Sequence, residues 1–378
     1  MSTETPSPAS SAPSAQNTIA LLFPGQGSQT VGMGRALHDA YPAARAVFQE
    51  ADDTLGFALS KLIFEGPDED LKLTEYTQPA ILTVSIAALR VLQPELHARN
   101  LAVSFAAGHS LGEYSANVAA GTFSFAHAVA TVRARGQFMQ SAVPAGVGAM
   151  AAILGLPVAQ INDICARVSD ELTQAPPDNP SDPAAQAFAT VDAISDPFNP
   201  VSTPAEAASR VNAVVSPANL NSPEQTVISG TREAVERAAE LCKQAGAKRT
   251  VMLPVSAPFH CGLMLPAQIK LATTLESVAF FDPAFPIAAN VDARFLTRGP
   301  EVRDALIRQV TGSVRWFECI DLLQQAGVTH FIEVGPGKVL SGLNRQILKQ
   351  ASQTETRTYT TTNVEDPASL EKTLAALA

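Results

Sequence analysis

Gly108-His109-Ser110-Leu111-Gly112 is a complete G-x-S-x-G element, and its surroundings limit what this chain can become. Strand-compatible residues, Leu101 to Ala107, precede it, and a helix-compatible stretch, Leu111 to Ala120, follows. A strand that turns sharply into a helix holds the intervening serine hydroxyl out at the top of a sheet, as a nucleophile elbow does. The flanking glycines let the backbone turn without Cβ clashes. Five-residue patterns recur by chance, and an ordinary βα turn can carry the same letters. The strand on one side and the helix on the other favour a nucleophile at Ser110, in a protein of the α/β class.

At 378 residues the chain is long for one compact domain, so two units, or one with an insertion, are expected. Hydrophobic residues make up 46% and charged residues 16%, which supplies a sizeable core. The net charge of −10 leaves no basic excess for phosphates, so nucleic-acid binding is not expected. A local basic patch for an acidic partner stays open. Cys165, Cys242, Cys261 and Cys319 form no C-x-x-C pair, so neither a metal site nor a disulfide framework is expected. No run of about 18 apolar residues suggests a membrane span. The simplest expectation is a soluble protein of a reducing cytoplasm.

Residues 1–16 are rich in Ser, Pro, Ala and Thr, with neither an apolar signal core nor arginine, and read as a disordered tail. A strand, Thr18 to Phe23, then runs into Pro24-Gly25-Gln26-Gly27-Ser28-Gln29. This is not a dinucleotide fingerprint, because Thr30 stands where the third glycine belongs. Helices are expected over 34–55, over the mostly apolar 77–92, and over 125–142.

From 142 to 255 the pattern changes. Strands over 149–156, 211–217, 225–229 and 248–255 alternate with helices over 158–168 and 231–245, the latter capped by Thr231. The order β-α-β-β-α-β is that of a ferredoxin-like small subdomain, inserted into an α/β-hydrolase-like large subdomain made of 17–141 and 256–378. Inside the insert, 174–209 carries seven prolines and no Lys, Arg or Gly, and reads as a surface excursion. A strand over 285–290, a helix over 303–310, a strand over 330–334 and a helix over 339–349 complete the large unit.

Two more residues stand out. Ala128, Val132, Arg135 and Met139 fall on one face of the 125–142 helix, so Arg135 lies on its apolar side. That helix contains no acid, and an unpaired buried charge is very costly. Spacing leaves two partners open: a distant acid such as Glu113, or a carboxylate on a substrate. A serine nucleophile also needs a base. His38, His97 and His127 read as surface residues, His330 starts a strand, and His109 points away from Ser110. His260 lies directly after the inserted unit, at the junction where a cleft should form. Composition alone would make any single histidine an ordinary one.

The motifs Phe23-Pro24-Gly25-Gln26-Gly27-Ser28-Gln29, Thr77-Gln78-Pro79-Ala80, Gly108 to Ser115, Arg135-Gly136, Ser216-Pro217-Ala218-Asn219, Pro258-Phe259-His260 and Glu333 to Gly337 occur in this order. Together they resemble the malonyl-CoA–acyl carrier protein transacylase family, the acyltransferases of fatty-acid synthesis, over roughly residues 18–350 without the 174–209 excursion. The resemblance implies that Ser110 attacks a malonyl thioester and that His260 serves as general base, then general acid. It implies oxyanion donors from the backbone N–H groups of Gln26 and Leu111, and Arg135 on the free malonyl carboxylate. It places Phe259 and Asn219 against the substrate, with Phe259 filling the space of an α-methyl group. The group orienting His260 would be a backbone carbonyl near Arg315. Malonyl-CoA and acyl carrier protein would be the partners, with no cofactor and a monomeric enzyme. The rate should rise through an ordinary histidine titration near neutrality. Lys248, Arg249 and Lys338 are candidates for docking an acidic carrier protein. A serine thioesterase, an acyltransferase of polyketide synthesis and a non-catalytic carrier-binding module are the competing readings.

Overall fold

A computed structural model describes residues 18–144, 146–174, 215–255, 257–351 and 357–377. The expected tail, 1–16, and residues 175–209 of the proline-rich excursion lie outside the described residues.

Strand β1 (Ile19–Phe23) is apolar at every position, as suits a strand covered on both faces. Its side chains alternate between two cores. Ile19, Leu21 and Phe23 pack with the helices Thr74–Ala98 and Phe125–Ser141, while Ala20 and Leu22 pack with Trp316–Gln325 and Val339–Ala351. β1 sits inside a six-stranded sheet of order β10-β9-β1-β2-β7-β8. Here β2 is Val103–Gly108, β7 Ile287–Ala288, β8 Phe295–Leu296, β9 His330–Val334 and β10 Thr360–Val364. All neighbouring pairs are parallel except β7 and β8. The carboxyl ends of β1, β2 and β7 therefore open on one edge, where ligands bind in sheets of this kind.

A second, antiparallel sheet has the order β4-β5-β3-β6. It is built from β3 (Gly148–Leu154), β4 (Val215–Ser222), β5 (Gln225–Thr231) and β6 (Arg249–Met252). Ala149, Ala151 and Ile153 face the helices Val158–Gln174 and Arg232–Gln244, whereas Met150 and Ala152 turn to the main core. The expected Thr231 cap is present, its hydroxyl accepting from the Ala234 N–H at 3.4 Å. The small sheet is tied to the large unit through Val314, ahead of the helix Trp316–Gln325; the Val314 N–H donates to the Ala218 carbonyl and its carbonyl accepts from the Leu220 N–H, at 2.8 Å each.

Several expectations change. The 34–55 helix divides into Arg35–Ala40 and Pro42–Leu55. Pro42 has no N–H and holds Tyr41 extended, at φ −126° and ψ 121°. The 77–92 helix runs longer, over Thr74–Ala98. Its composition could suit a membrane, but 78% of its most apolar window is buried inside the protein. β10, whose sequence is Thr-Thr-Thr-Asn-Val, was not anticipated, and neither were the helices Leu265–Glu276, Trp316–Gln325 and Pro367–Ala376. An edge strand covered on one side shows no run of apolar residues to announce it.

Candidate active site

The elbow is built by contacts that allow only glycine. A Cβ on Gly108 would stand 1.9 Å from the Gly112 carbonyl carbon, and one on Gly112 would stand 2.0 Å from the Phe23 oxygen. β1, β2 and the helix Gly112–Ala119 can come this close only without side chains at those two points. Ser110 itself has φ of 50°, in the left-handed region that costs a non-glycine residue energy. Its N–H is held by Asn290 Oδ1 at 2.7 Å, and Asn290 Nδ2 donates to the Gly108 carbonyl at 2.8 Å. Asn290 follows the short strand β7, so three strand ends converge on the serine.

Ser110 Oγ lies 2.7 Å from His260 Nε2. On the far side of the ring, Nδ1 lies 2.9 Å from the backbone carbonyl of Gln309. A carbonyl only accepts, so Nδ1 carries the proton and Nε2 is left free to take one from the serine. The expected carbonyl near Arg315 is corrected to that of Gln309. Arg315 begins the helix Trp316–Gln325, and its carbonyl already accepts from the Cys319 N–H at 3.0 Å. Gln309 ends the helix Gly299–Arg308, where carbonyls lack a partner one turn on.

His260 is 4% exposed. Burial, and then the charge of Arg135, push its pKa down to about 3. This replaces the expectation of a titration near neutrality: the imidazole is neutral across the ordinary range.

Arg135 is 2% exposed. Gly136 lets its helix approach the helix Thr74–Ala98, because a Cβ there would stand 2.6 Å from the Thr74 oxygen. The guanidinium donates to Gln78 Oε1 at 2.8 Å, to Gln309 Oε1 at 3.1 Å and to Ser110 Oγ at 3.2 Å. All three partners are neutral, and Nε has none. Among the described residues Arg135 forms no ion pair, so Glu113 is not its salt-bridge partner.

A cavity of about 120 Å³ opens over Ser110, His260 and Arg135. Gln26, Asn219 and Phe259 also line it, with Gln78, Met139 and Met150. All the expected site residues except Leu111 thus share one wall-to-wall space, and Leu111 follows Ser110 directly. The backbone N–H groups of Gln26 and Leu111 donate to no protein group among the described residues. A larger cavity, about 660 Å³, lies away from Ser110, between the helix Val158–Gln174, β4 and residues 311–315.

Sequence reasoning missed Gln309 and Asn290, which carry no local pattern. His109 bonds Asn221 Oδ1 at 2.8 Å and lines the same cavity as Ser110. Of the docking candidates, Lys248 is paired with Glu224 at 3.2 Å and Lys338 with Glu365 at 2.9 Å. Arg249 is the one of the three without an ion pair among the described residues.

Comparison with known proteins gives a consistent picture. Residues 20–185 match the acyl transferase domain model. The malonyl CoA-acyl carrier protein transacylase of Bacillus subtilis (strain 168) is 43% identical over 359 residues, covering 95% of this chain and 97% of its own. The crystal structure of an acyl carrier protein S-malonyltransferase from Vibrio cholerae is 42% identical with a TM-score of 0.78, covering 94% and 99%. A malonyl-transacylase solved in complex with a type II PKS acyl-carrier protein is 40% identical with a TM-score of 0.78, covering 95% and 99%.

Proposed function

We propose, for a chain that belongs to the malonyl CoA-acyl carrier protein transacylase family, that Ser110, His260 and Arg135 carry its chemistry. The enzyme is an acyltransferase that moves malonyl from malonyl-CoA to acyl carrier protein. The observation that supports these three residues is the placing of one hydroxyl, Ser110 Oγ, between a neutral imidazole at 2.7 Å and a guanidinium at 3.2 Å.

In this reading the malonyl carboxylate displaces neutral partners of Arg135 and forms a charge-assisted pair in a dry site. That anchors the thioester carbonyl over Ser110. Oγ attacks as His260 Nε2 takes its proton, and the oxyanion forms against the N–H groups of Gln26 and Leu111. Each such donor is worth about 3 kcal/mol. Collapse expels the CoA thiolate, which receives the proton back from His260. The phosphopantetheine thiol of the carrier protein then repeats the sequence in reverse, with His260 as its base. The reading also makes Phe259 and Asn219 part of the acyl pocket, and Arg249 part of the carrier-protein surface. The reading takes the enzyme as a monomer of the cytoplasm.

Brief exposure to malonyl-CoA followed by intact-protein mass measurement tests the assignment. A malonyl adduct is expected on the wild type and none on Ser110→Ala; an unchanged adduct on the variant would falsify it. A type II PKS carrier protein is the partner named for one relative, so a second reading is service to polyketide synthesis rather than to fatty-acid elongation. Relative kcat/KM for the two carrier proteins decides between them.

A further inference from the structure

Glu113 is fully buried on the first turn of the helix Gly112–Ala119, and no step above uses it. Its Oε2 accepts from the Asn290 N–H at 3.0 Å and from Gln309 Nε2 at 2.8 Å. Those two residues hold the elbow. Asn290 takes the Ser110 N–H, and Gln309 Nε2 also reaches the Ser110 carbonyl at 3.1 Å. The other end of the Gln309 amide accepts from Arg135 at 3.1 Å. One amide therefore separates the carboxylate from the guanidinium. Glu113 Oε1 has no partner.

The charged and titratable groups around Glu113 are few. Tyr114 lies on its own helix, Cys319 on the helix Trp316–Gln325, Asp292 beyond β7, and Arg135 on the helix Phe125–Ser141. Burial pushes Tyr114 and Cys319 well up, so both are neutral. Asp292 is matched by Arg308 through two bonds of 2.7 and 2.8 Å. Among the described residues, Glu113 and Arg135 are left as each other's only counterpart, linked through an amide rather than by contact.

We propose that Glu113 is a positioning residue that supplies the countercharge of Arg135 in the free enzyme and takes a proton from solvent when the malonyl carboxylate occupies Arg135. The proposal rests on the reading of Arg135 given above. A second carboxylate in a site with one guanidinium disfavours ionisation of the first. Burial already pushes Glu113 up to about 7, so a modest further rise protonates it at neutral pH. His260 starts near 3 and stays neutral after the same rise. Acylation itself is proton-neutral while the released thiol stays protonated. The Oγ–acyl bond forms, the C–S bond breaks, and the serine proton ends on CoA sulfur through His260. The proton on Glu113 is additional and comes from water.

The test mixes enzyme with one equivalent of malonyl-CoA in a weakly buffered indicator solution, without carrier protein. Malonyl-Ser110 is quantified by mass on the same sample. Uptake per acylated serine should climb as pH rises from 6 to 7.5, following the ionised fraction of Glu113 in the free enzyme and never exceeding it. Glu113→Gln keeps an acceptor for Asn290 and Gln309, and should acylate with the uptake abolished. Acylation of the wild type without uptake, or with uptake that ignores pH, overturns the proposal even if the variant does not fold. Uptake retained in Glu113→Gln also overturns it and moves the proton to His260. No malonyl adduct at all would sink the reading of Arg135 and this proposal together, and the mass measurement alone would show it.

Discussion

Ser110 and His260, 150 residues apart in sequence, both adopt left-handed backbone conformations, φ 50° and φ 60°, and their side chains meet at 2.7 Å. Each such residue costs about 1–2 kcal/mol. The cost is borne at both ends of the one contact that the chemistry needs. Packing around the two turns must over-determine them, and the glycine contacts beside Ser110 show how.

Gly108→Ala should abolish the folded enzyme, because the new methyl would overlap the backbone of Gly112. Gly342 sits in the helix Val339–Ala351 with open space where a Cβ would go. Gly342→Ala should stabilise by up to about 1 kcal/mol and leave turnover unchanged. Thermal melts of the two variants, with malonyl transfer rates, check this pair; a well-folded Gly108→Ala would mean the elbow is not built as described.

His260 should be neutral and active well below the usual histidine range. Transfer should not fall between pH 7 and pH 5, with no acid limb near 6.5. The stability sign follows from the same shift. The folded pKa, about 3, lies below the unfolded 6.5, so the stabilisation is complete above 6.5 and is lost as pH falls toward 3. Melting points measured against pH should drop more on acidification for the wild type than for His260→Gln. His260→Gln should also lose about 10²–10⁴ in rate. A pH–rate midpoint near 6.5 would show the base in a wetter site than this one.

Gln309→Leu separates the backbone role of this residue from its side-chain role. The carbonyl that orients His260 survives. Arg135 and Glu113 each lose one partner, at a cost of about 1–3 kcal/mol. Turnover should fall by about 5- to 150-fold, while the profile set by His260 still shows no acid limb near 6.5. Wild-type kcat in this variant would show that the amide bridge carries no weight.

What the sequence made legible was what is local. Ser110 was marked by glycines two residues away, and Arg135 by the period of its own helix. His260 was marked by its place after the inserted unit. Gln309 and Asn290 lie 199 and 180 residues from Ser110 and act through a helix end and a two-residue strand, neither of which leaves a periodic trace. The misplacement of the orienting carbonyl at Arg315 has the same origin. Which carbonyl is free depends on where two helices stop and start, and boundaries are the least legible part of a sequence. The parallel sheet was readable from its buried strands, whereas β10 was not, since an edge strand of threonines satisfies no apolar pattern.

Phe259 should decide between malonyl and methylmalonyl. It is 8% exposed and lines a cavity of only about 120 Å³. Phe259→Ala should raise kcat/KM for methylmalonyl-CoA relative to malonyl-CoA by about 10-fold or more, the usual worth of one methyl group in a closed pocket. Equal ratios in wild type and variant would leave Phe259 as packing alone.

Arg135→Ala is the sharpest test of specificity. Among the described residues the guanidinium is buried, bonded only to two amides and a hydroxyl, and short of a partner at Nε. Such a group prefers a carboxylate to anything it now touches. If malonyl supplies that carboxylate, truncation should cost malonyl transfer about 3–5 kcal/mol, as for a broken buried pair. Acetyl transfer should fall far less, because the acetyl group never used the charge and the emptied pocket no longer penalises it. The malonyl-to-acetyl ratio should therefore collapse by about 100-fold or more. The melting point discriminates the alternative. Since Arg135 touches no carboxylate among the described residues, and Glu113 can take up a proton once its countercharge is gone, its removal should lower stability only modestly. A large loss of stability with an unchanged malonyl-to-acetyl ratio would mean that Arg135 is a structural cation and that the acyl carboxylate is read elsewhere.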